Sequence, residues 1–209
     1  MDLTSVMSEL QSSGTKTTAR VASAARLRKI RDKVGTDQDL AVELWETGSD
    51  DARSLAMLIA DPDDLTPSVA TQWMKDVDDN VRAAEVANVV AQSPVGPAKM
   101  RQWRKQKSEF ARATGYEILI SMLIDDPDAV EELECKRVLK DIQMEIHRSP
   151  VQAQGVMAQA VVSIGIYKEE LAEEALEAAE EIEAVETFSI KVDGRKSTMR
   201  DALSAAAAS

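Results

Sequence analysis

Apolar residues recur along this chain at spacings of three and four, which is the period of an amphipathic helix. After Asp37, the residues Leu40, Leu44 and Trp45 share one helical face, and a glycine follows the segment. A second stretch with the same period ends before Pro62. The short break between the two stretches predicts an antiparallel helix pair.

The same plan repeats at intervals of about thirty residues. Each pair is preceded by a residue that caps or opens helices, namely Asp37, Thr66, Pro97 and Asp128. The motif Met-Leu-Ile-x-Asp-Pro-Asp occurs at 57–63 and again at 122–128, each time at the end of the second helix of a pair. Only a neighbouring pair can cover the apolar face that each pair exposes. The pattern predicts an all-α, HEAT-like solenoid of stacked antiparallel helix pairs, with at least four pairs within residues 37–165.

The chain divides into three parts that we expect to form one domain over residues 1–209. N-terminal helices occupy residues 1–34, the repeats occupy 35–185, and a C-terminal extension occupies 186–209. Within the extension, apolar and polar residues alternate before Asp193-Gly194, a pair typical of tight hairpin turns. We therefore expect a short extended segment before the last helix.

The amino-acid composition favours helices and excludes several kinds of metal and disulfide site. Only 3% of the 209 residues are aromatic, and the chain has eight glycines and six prolines. The single cysteine, Cys135, excludes an intramolecular disulfide and a cysteine-rich metal site, and the single histidine, His147, excludes a multi-histidine site. We expect no cofactor and no metal. No apolar run reaches the length of a membrane span, which predicts a cytoplasmic protein with no membrane partner.

Charge is distributed unevenly along the sequence. The formal net charge of −12 argues against avid nonspecific binding to nucleic acid. However, residues 16–33 carry seven basic side chains against one acid, and residues 99–112 carry six against one. Residues 169–186 hold nine glutamates and no base. Each run has two interpretations, a solvated helix face or a binding surface.

Several ordered motifs resemble the HEAT-like DNA alkylation repair family, which includes bacterial alkylpurine DNA glycosylases. The similarity covers roughly residues 35–185, and it rests on the segments 35–48, 51–62, 109–113 and 161–167, together with Trp73 and Trp103. The resemblance implies a curved solenoid that grips duplex DNA on a basic concave surface. It also implies cleavage of the glycosidic bond of cationic alkylated purines.

That reaction needs a carboxylate beside the sugar to stabilise an oxocarbenium-like centre. The resemblance implies a catalytic aspartate four positions after an aromatic residue. One alignment makes Asp78 the catalytic residue but places Met74 where the aromatic side chain belongs. The other alignment, which preserves the helix spacing better and which we prefer, replaces the aspartate by Ala83 or Ala84.

The predicted DNA contacts come from the second basic run. The resemblance makes Arg112 the counterpart of a phosphate-binding arginine, whereas residues 155–158 lack the aromatic side chain that glycosylases place there. The cations that we expect to bind DNA are Lys99, Arg101, Arg104, Lys105 and Arg112. We expect the three tryptophans in the core, and structural roles for Cys135 and His147.

Three functions remain open from the sequence. The first is a DNA-binding member of the repair family whose glycosylase chemistry is weak or lost, with duplex DNA as partner. The second is an active alkylpurine DNA glycosylase that uses Asp78. The third is a protein-interaction scaffold that does not bind DNA. A positive concave groove would favour DNA, and a neutral or acidic groove would favour a protein partner.

Overall fold

The computed structural model describes residues 1–11 and 22–208 of the chain. Within these residues the chain forms twelve α-helices and one hairpin. In chain order they are α1 Leu3–Gln11, α2 Ala24–Val34, α3 Gln38–Glu46, α4 Asp50–Ile59, α5 Pro67–Lys75, α6 Asn80–Ala91, α7 Gly96–Arg104, α8 Glu109–Asp125, α9 Glu132–Glu145, α10 Val151–Tyr167, α11 Ala172–Glu183, β1 Ile190–Val192, β2 Arg195–Ser197 and α12 Met199–Ala207.

Three of the four predicted helix starts are where the sequence places them. The side chains of Asp37 and Thr66 accept hydrogen bonds from backbone N–H groups in the first turns of α3 and α5, and Pro97 lies in the first turn of α7. The fourth differs, because Asp128 lies in a 3₁₀ turn over Pro127–Ala129 and α9 begins after it. The Asp126 side chain accepts the N–H of Asp128 and closes this turn first.

The helices stack as antiparallel pairs in two layers. The pairs α3–α4, α5–α6, α7–α8 and α9–α10 follow each other along the chain, and α11 packs against α12. The even-numbered helices pack in sequence against one another and form one layer, while the odd-numbered helices form the other. This arrangement confirms the all-α, HEAT-like fold and the four pairs predicted between residues 37 and 165.

The stack curves toward the even-numbered layer. The backbones of α6, α8 and α10 pack closely, whereas α5, α7 and α9 meet mainly through side chains. The side chain of Asn80 at the start of α6 donates a hydrogen bond of 2.7 Å to Gln152 at the start of α10, past the start of α8. Because the layer whose helices pack more closely lies on the inside of a bend, we infer that the even-numbered layer forms the concave side.

All three tryptophans lie in the hydrophobic core, as predicted. Trp45, Trp73 and Trp103 are each at most 3% exposed. The rings of Trp45 and Trp73 lie 5.5 Å apart and join α3 to α5. The indole N–H of Trp45 donates to the carboxylate of Asp76. Buried apolar residues from α1 to α12 form one cluster.

The predicted extended segment near the C-terminus is a hairpin. Strands β1 and β2 pair antiparallel, and the turn residues Asp193 and Gly194 have φ angles of 49° and 76°. Two consecutive residues with positive φ are typical of the type I′ turn that matches strand twist. The N–H of Lys191 donates to the side chain of Gln159 and so connects the hairpin to α10.

Candidate nucleic-acid interface

Two of the five predicted DNA-binding cations are buried between helices of the outer, odd-numbered layer. Lys99 is 6% exposed and its ammonium donates to the hydroxyl of Thr71 at 2.6 Å. Burial lowers the pKa of Lys99 below its usual value. The Lys99 side chain therefore connects α7 to α5.

Arg104 makes a similar connection between α7 and α9. It is 4% exposed, donates to Glu134 at 2.6 Å, and lies 3.7 Å from the carboxylate of Asp141. Its guanidinium also lies over the ring of Tyr116, 5.6 Å from the centroid. Removing one partner of a buried ion pair leaves an uncompensated charge, so this arginine contributes to the packing of three helices.

The other three predicted cations are more accessible. Arg101 is exposed on α7, and Lys105 is exposed in the loop between α7 and α8. Arg112 is half-buried at the start of α8 and hydrogen-bonds the backbone carbonyl of Gln106 and the hydroxyl of Ser149. The structure thus separates the five cations into two that are buried and three that retain solvent contact.

The concave side is not basic. Each of the helices α4, α6, α8 and α10 leaves one stripe of side chains uncovered, and these stripes form what we name the floor. Its residues are Leu58, Val81, Ala84, Asn88, Glu117, Ser121, Gln152, Gly155 and Gln159. The floor includes no lysine or arginine. Carboxylates among or beside these stripes include that of Glu117, whose pKa is raised by burial, and that of Glu85 on α6, which accepts a hydrogen bond from the Ser54 hydroxyl of α4.

The two candidate positions for a catalytic carboxylate differ in placement. Asp78 is exposed in the connection between α5 and α6, outside the floor. On α6, Ala83 is buried and Ala84 lies on the floor. One of the two alignments matches α6 to the catalytic segment of the glycosylases. In that alignment the methyl group of Ala84 lies on the floor at a candidate position for the catalytic carboxylate.

Exposed cations instead gather along one edge of the solenoid, where odd-numbered helices end and even-numbered helices begin. Three segments contribute, namely the loop 105–108, the loop 146–150 and the hairpin segment 186–198. We name their six exposed cations the basic edge, which consists of Lys105, Lys107, Arg148, Lys191, Arg195 and Lys196. Glu186 and Asp193 are the two acids on these segments. Nearer the N-terminus, the same edge is acidic at Asp76, Asp78 and Asp79.

The first basic run of the sequence lies at the N-terminal end of the stack. Lys16 and Arg20 fall outside the described residues. On α2, Arg31 pairs with Asp32 at 2.7 Å and Lys33 pairs with Glu9 at 2.6 Å. The exposed cations Arg28 and Lys29 remain on the outer surface of this helix, distant along the chain from the basic edge.

Comparison with known proteins identifies the family. The family described as DNA alkylation repair enzyme matches residues 3–201, nearly the whole chain. This chain belongs to that family. Two relatives from Listeria, the uncharacterized proteins Lin0241 of Listeria innocua and Lmo0209 of Listeria monocytogenes, are 26% and 25% identical to it over 166 residues. In each case the match covers 75% of this chain and 69% of the relative.

A solved structure shares the fold of this DNA alkylation repair family member. It is described as "a new family of proteins related to the HEAT-like repeat DNA glycosylases with affinity for branched DNA structures". The superposition has a TM-score of 0.84 and covers 98% of this chain and 93% of the other, at 23% sequence identity. The likeness shows that the two chains share one fold over nearly their whole lengths.

Neither Cys135 nor His147 of this family member has the surroundings of a nucleophile. Burial raises the pKa of the Cys135 thiol to about 11, so the thiol stays protonated at neutral pH. His147 lies between the ring of Phe188 and the carboxylate of Glu186. In residues 1–11 and 22–208, no three His, Cys, Asp or Glu side chains are grouped to hold a metal ion. None of the helices in those ranges is both long and apolar enough to cross a bilayer.

Of the six cations of the basic edge, only Lys105 is among the DNA contacts predicted from the sequence. Lys191, Arg195 and Lys196 lie close together in sequence and flank a recognisable turn, which is a signal that the sequence does contain. The larger run at 99–112 dominates any count of charge along the chain. Only the fold shows that the hairpin cations lie on the same edge as Lys105.

Proposed function

We propose that this protein binds DNA through its basic edge, branched DNA included, and has little or no glycosylase activity. The observation that carries the proposal is the gathering of six exposed cations on three segments. Arg112 bridges the loops 105–108 and 146–150, and His147 of the second loop lies beside Phe188 of the third segment. A row of cations binds phosphates by releasing counterions, independently of base sequence. The affinity for branched DNA described for the structurally similar protein supports the choice of substrate.

Of the five cations predicted from the sequence, we assign direct phosphate contact to Lys105 and Arg101. Both are exposed, Lys105 on the basic edge and Arg101 on α7 beside Pro97 and Glu131. Lys99 and Arg104 are proposed to act indirectly, because their charges are buried against Thr71 and Glu134.

The DNA-binding proposal is tested with a variant that removes one cation from each segment, Lys105→Gln, Arg148→Gln and Arg195→Gln. Affinity is measured for a four-way junction and for a linear duplex across a salt series. The slope of log K against log salt should become shallower by up to about three, since each phosphate contact contributes about 0.9. The matched control carries Arg28→Gln, Lys29→Gln and Lys140→Gln, an equal charge change away from the basic edge.

Two outcomes would overturn this assignment. One is an equal loss of affinity in the basic-edge variant and in the control, because net charge alone would then explain the loss. The other is wild-type protein that binds neither DNA at 50 mM salt, which would remove DNA binding altogether.

The second part of the proposal concerns catalysis. Ala84 stands at the floor position of α6, and the exposed Asp78 carboxylate lies outside the floor. Losing an electrostatic stabiliser in a glycosylase active site costs on the order of a hundredfold or more in rate. We expect little or no release of N3- or N7-alkylated purines from alkylated duplex DNA. Robust release by the wild type that disappears in Asp78→Asn would restore the enzyme hypothesis.

The floor, which includes no lysine or arginine, favours a second candidate, a scaffold that holds a protein partner. Leu58 and Val81 are exposed there, at 40% and 56%. A surface of this composition resembles a protein interface more than a phosphate-binding groove. This function gains support if the wild-type protein fails to bind both the junction and the duplex.

A further inference from the structure

The guanidinium of Arg112 connects two segments of the basic edge. Its Nε donates to the carbonyl oxygen of Gln106 at 3.0 Å, and its Nη1 donates to the hydroxyl of Ser149 at 2.9 Å. Nη1 also lies 3.3 Å from a carboxylate oxygen of Glu145, and the side chain is only 16% exposed. The donors of Arg112 are therefore directed largely at loops of its own chain.

A second side chain, that of His147, extends this series of contacts to the hairpin. His147 lies in the same loop as Ser149, and its Nδ1 is 3.9 Å from a carboxylate oxygen of Glu186. Its ring centroid is 5.9 Å from that of Phe188, which is buried just before β1. Arg112 thus joins the loops 105–108 and 146–150, and the His147 ring packs the second loop against the base of the hairpin.

We propose that Arg112 is a positioning residue for DNA binding and that it acts through the two loops it connects. This inference rests on the proposed function. By fixing Gln106 and Ser149, Arg112 holds Lys105, Lys107 and Arg148 in one arrangement before DNA arrives. Cations that are already ordered lose less conformational freedom on binding, so the complex is tighter. The role differs from the phosphate contact that the family resemblance implies for this position.

A charge-conserving substitution separates the two roles. Arg112→Lys keeps the positive charge but cannot reproduce the planar fork that reaches two acceptors in different directions. If Arg112 positions the loops, Arg112→Lys and Arg112→Gln should both weaken binding to a four-way junction, each by about tenfold. If Arg112 is a phosphate ligand, Arg112→Gln should make the slope of log K against log salt shallower by about 0.9 while Arg112→Lys keeps the wild-type slope, and that result would overturn the inference.

The acceptors of Arg112 provide a test in which the two roles predict opposite signs. Glu145→Ala removes a negative charge beside the basic edge, so electrostatics alone predicts tighter binding of DNA. Loss of an Arg112 acceptor predicts weaker binding. The uncharged change Ser149→Ala should also weaken binding, and Glu177→Ala on α11 is the control that should not. Unchanged or tighter binding by both Glu145→Ala and Ser149→Ala would overturn the proposal.

Combined variants test the coupling between Arg112 and the cations that it positions. If Arg112 acts through these cations, Arg112→Gln should cost little further affinity once Lys105, Lys107 and Arg148 are all glutamine, and additive losses would contradict this. Thermal melting of each variant checks folding. If the Arg112 variants do not fold, the Ser149 and Glu145 variants decide the matter. Wild-type protein that binds no DNA refutes the proposed function, whereas binding that is unaffected by Arg112→Lys refutes only this inference.

Discussion

Gly115 allows the end of α7 to pack directly on α8. A Cβ atom at this position would lie 2.8 Å from the carbonyl carbon of Trp103 and 2.9 Å from the Cα of Arg104. Real Cβ atoms essentially never approach other atoms so closely, and the atoms in question are backbone that cannot turn aside. The buried ion pairs of Arg104 depend on this close approach, because Arg104 is the last residue of α7.

We therefore expect Gly115→Ala to destabilise the protein by about 2 kcal/mol, as overpacking of a tight core contact does. The matched control is Gly155→Ala in α10, where a new Cβ would meet no atom within 4 Å. That change should stabilise the protein by about 0.5–1 kcal/mol, because alanine favours a helix more than glycine does. Denaturant unfolding measures both. Equal effects of the two substitutions would show that α7 and α8 pack less closely at Gly115 than the distances above indicate.

At the scale of the helices, two adjacent aspartates have different roles. The side chain of Asp79 accepts the backbone N–H of Arg82 at 2.7 Å and caps the start of α6. Asp78 precedes it and is exposed. The two residues have the same charge and are neighbours in sequence, so they provide a matched comparison.

Asp79→Ala should lower the free energy of unfolding by about 1 kcal/mol, because a helix-capping hydrogen bond is lost. Asp78→Ala should change it by less than about 0.5 kcal/mol, as exposed substitutions usually do. Thermal or urea denaturation of the two variants provides the measurement. A loss from Asp78→Ala as large as that from Asp79→Ala would mean that Asp78 has a structural partner and is not a free carboxylate.

At the scale of the whole molecule, positive and negative charge are segregated. Eight of the nine glutamates of residues 169–186 lie on α11 or just before it in the outer layer, and the ninth, Glu186, lies at the base of the hairpin. The six cations of the basic edge lie where the even-numbered helices begin. Solvent-exposed charges more than about 10 Å apart are largely screened at 0.1 M salt. DNA that reaches the edge therefore interacts mainly with the local cations, even though the net charge is −12.

The sequence by itself determined the helices, their pairing and the turn of the hairpin. The capping residues Asp37 and Thr66, the repeated Asp-Pro-Asp motif and the Asp193-Gly194 turn act over a few residues, so their effects can be predicted locally. The burial of the tryptophans followed from the helical period. These features required no knowledge of which repeat lies beside which.

Only the tertiary structure decided which cations are free to meet a ligand. Lys99 pairs with Thr71, Arg104 with Glu134 and Arg112 with Ser149, and each partner lies 28 to 37 residues away in another helix pair or loop. The basic edge likewise draws on segments that are far apart in the chain. A charge that looks solvated in the sequence is buried or exposed according to how neighbouring repeats pack, and that packing depends on the shape of the whole stack.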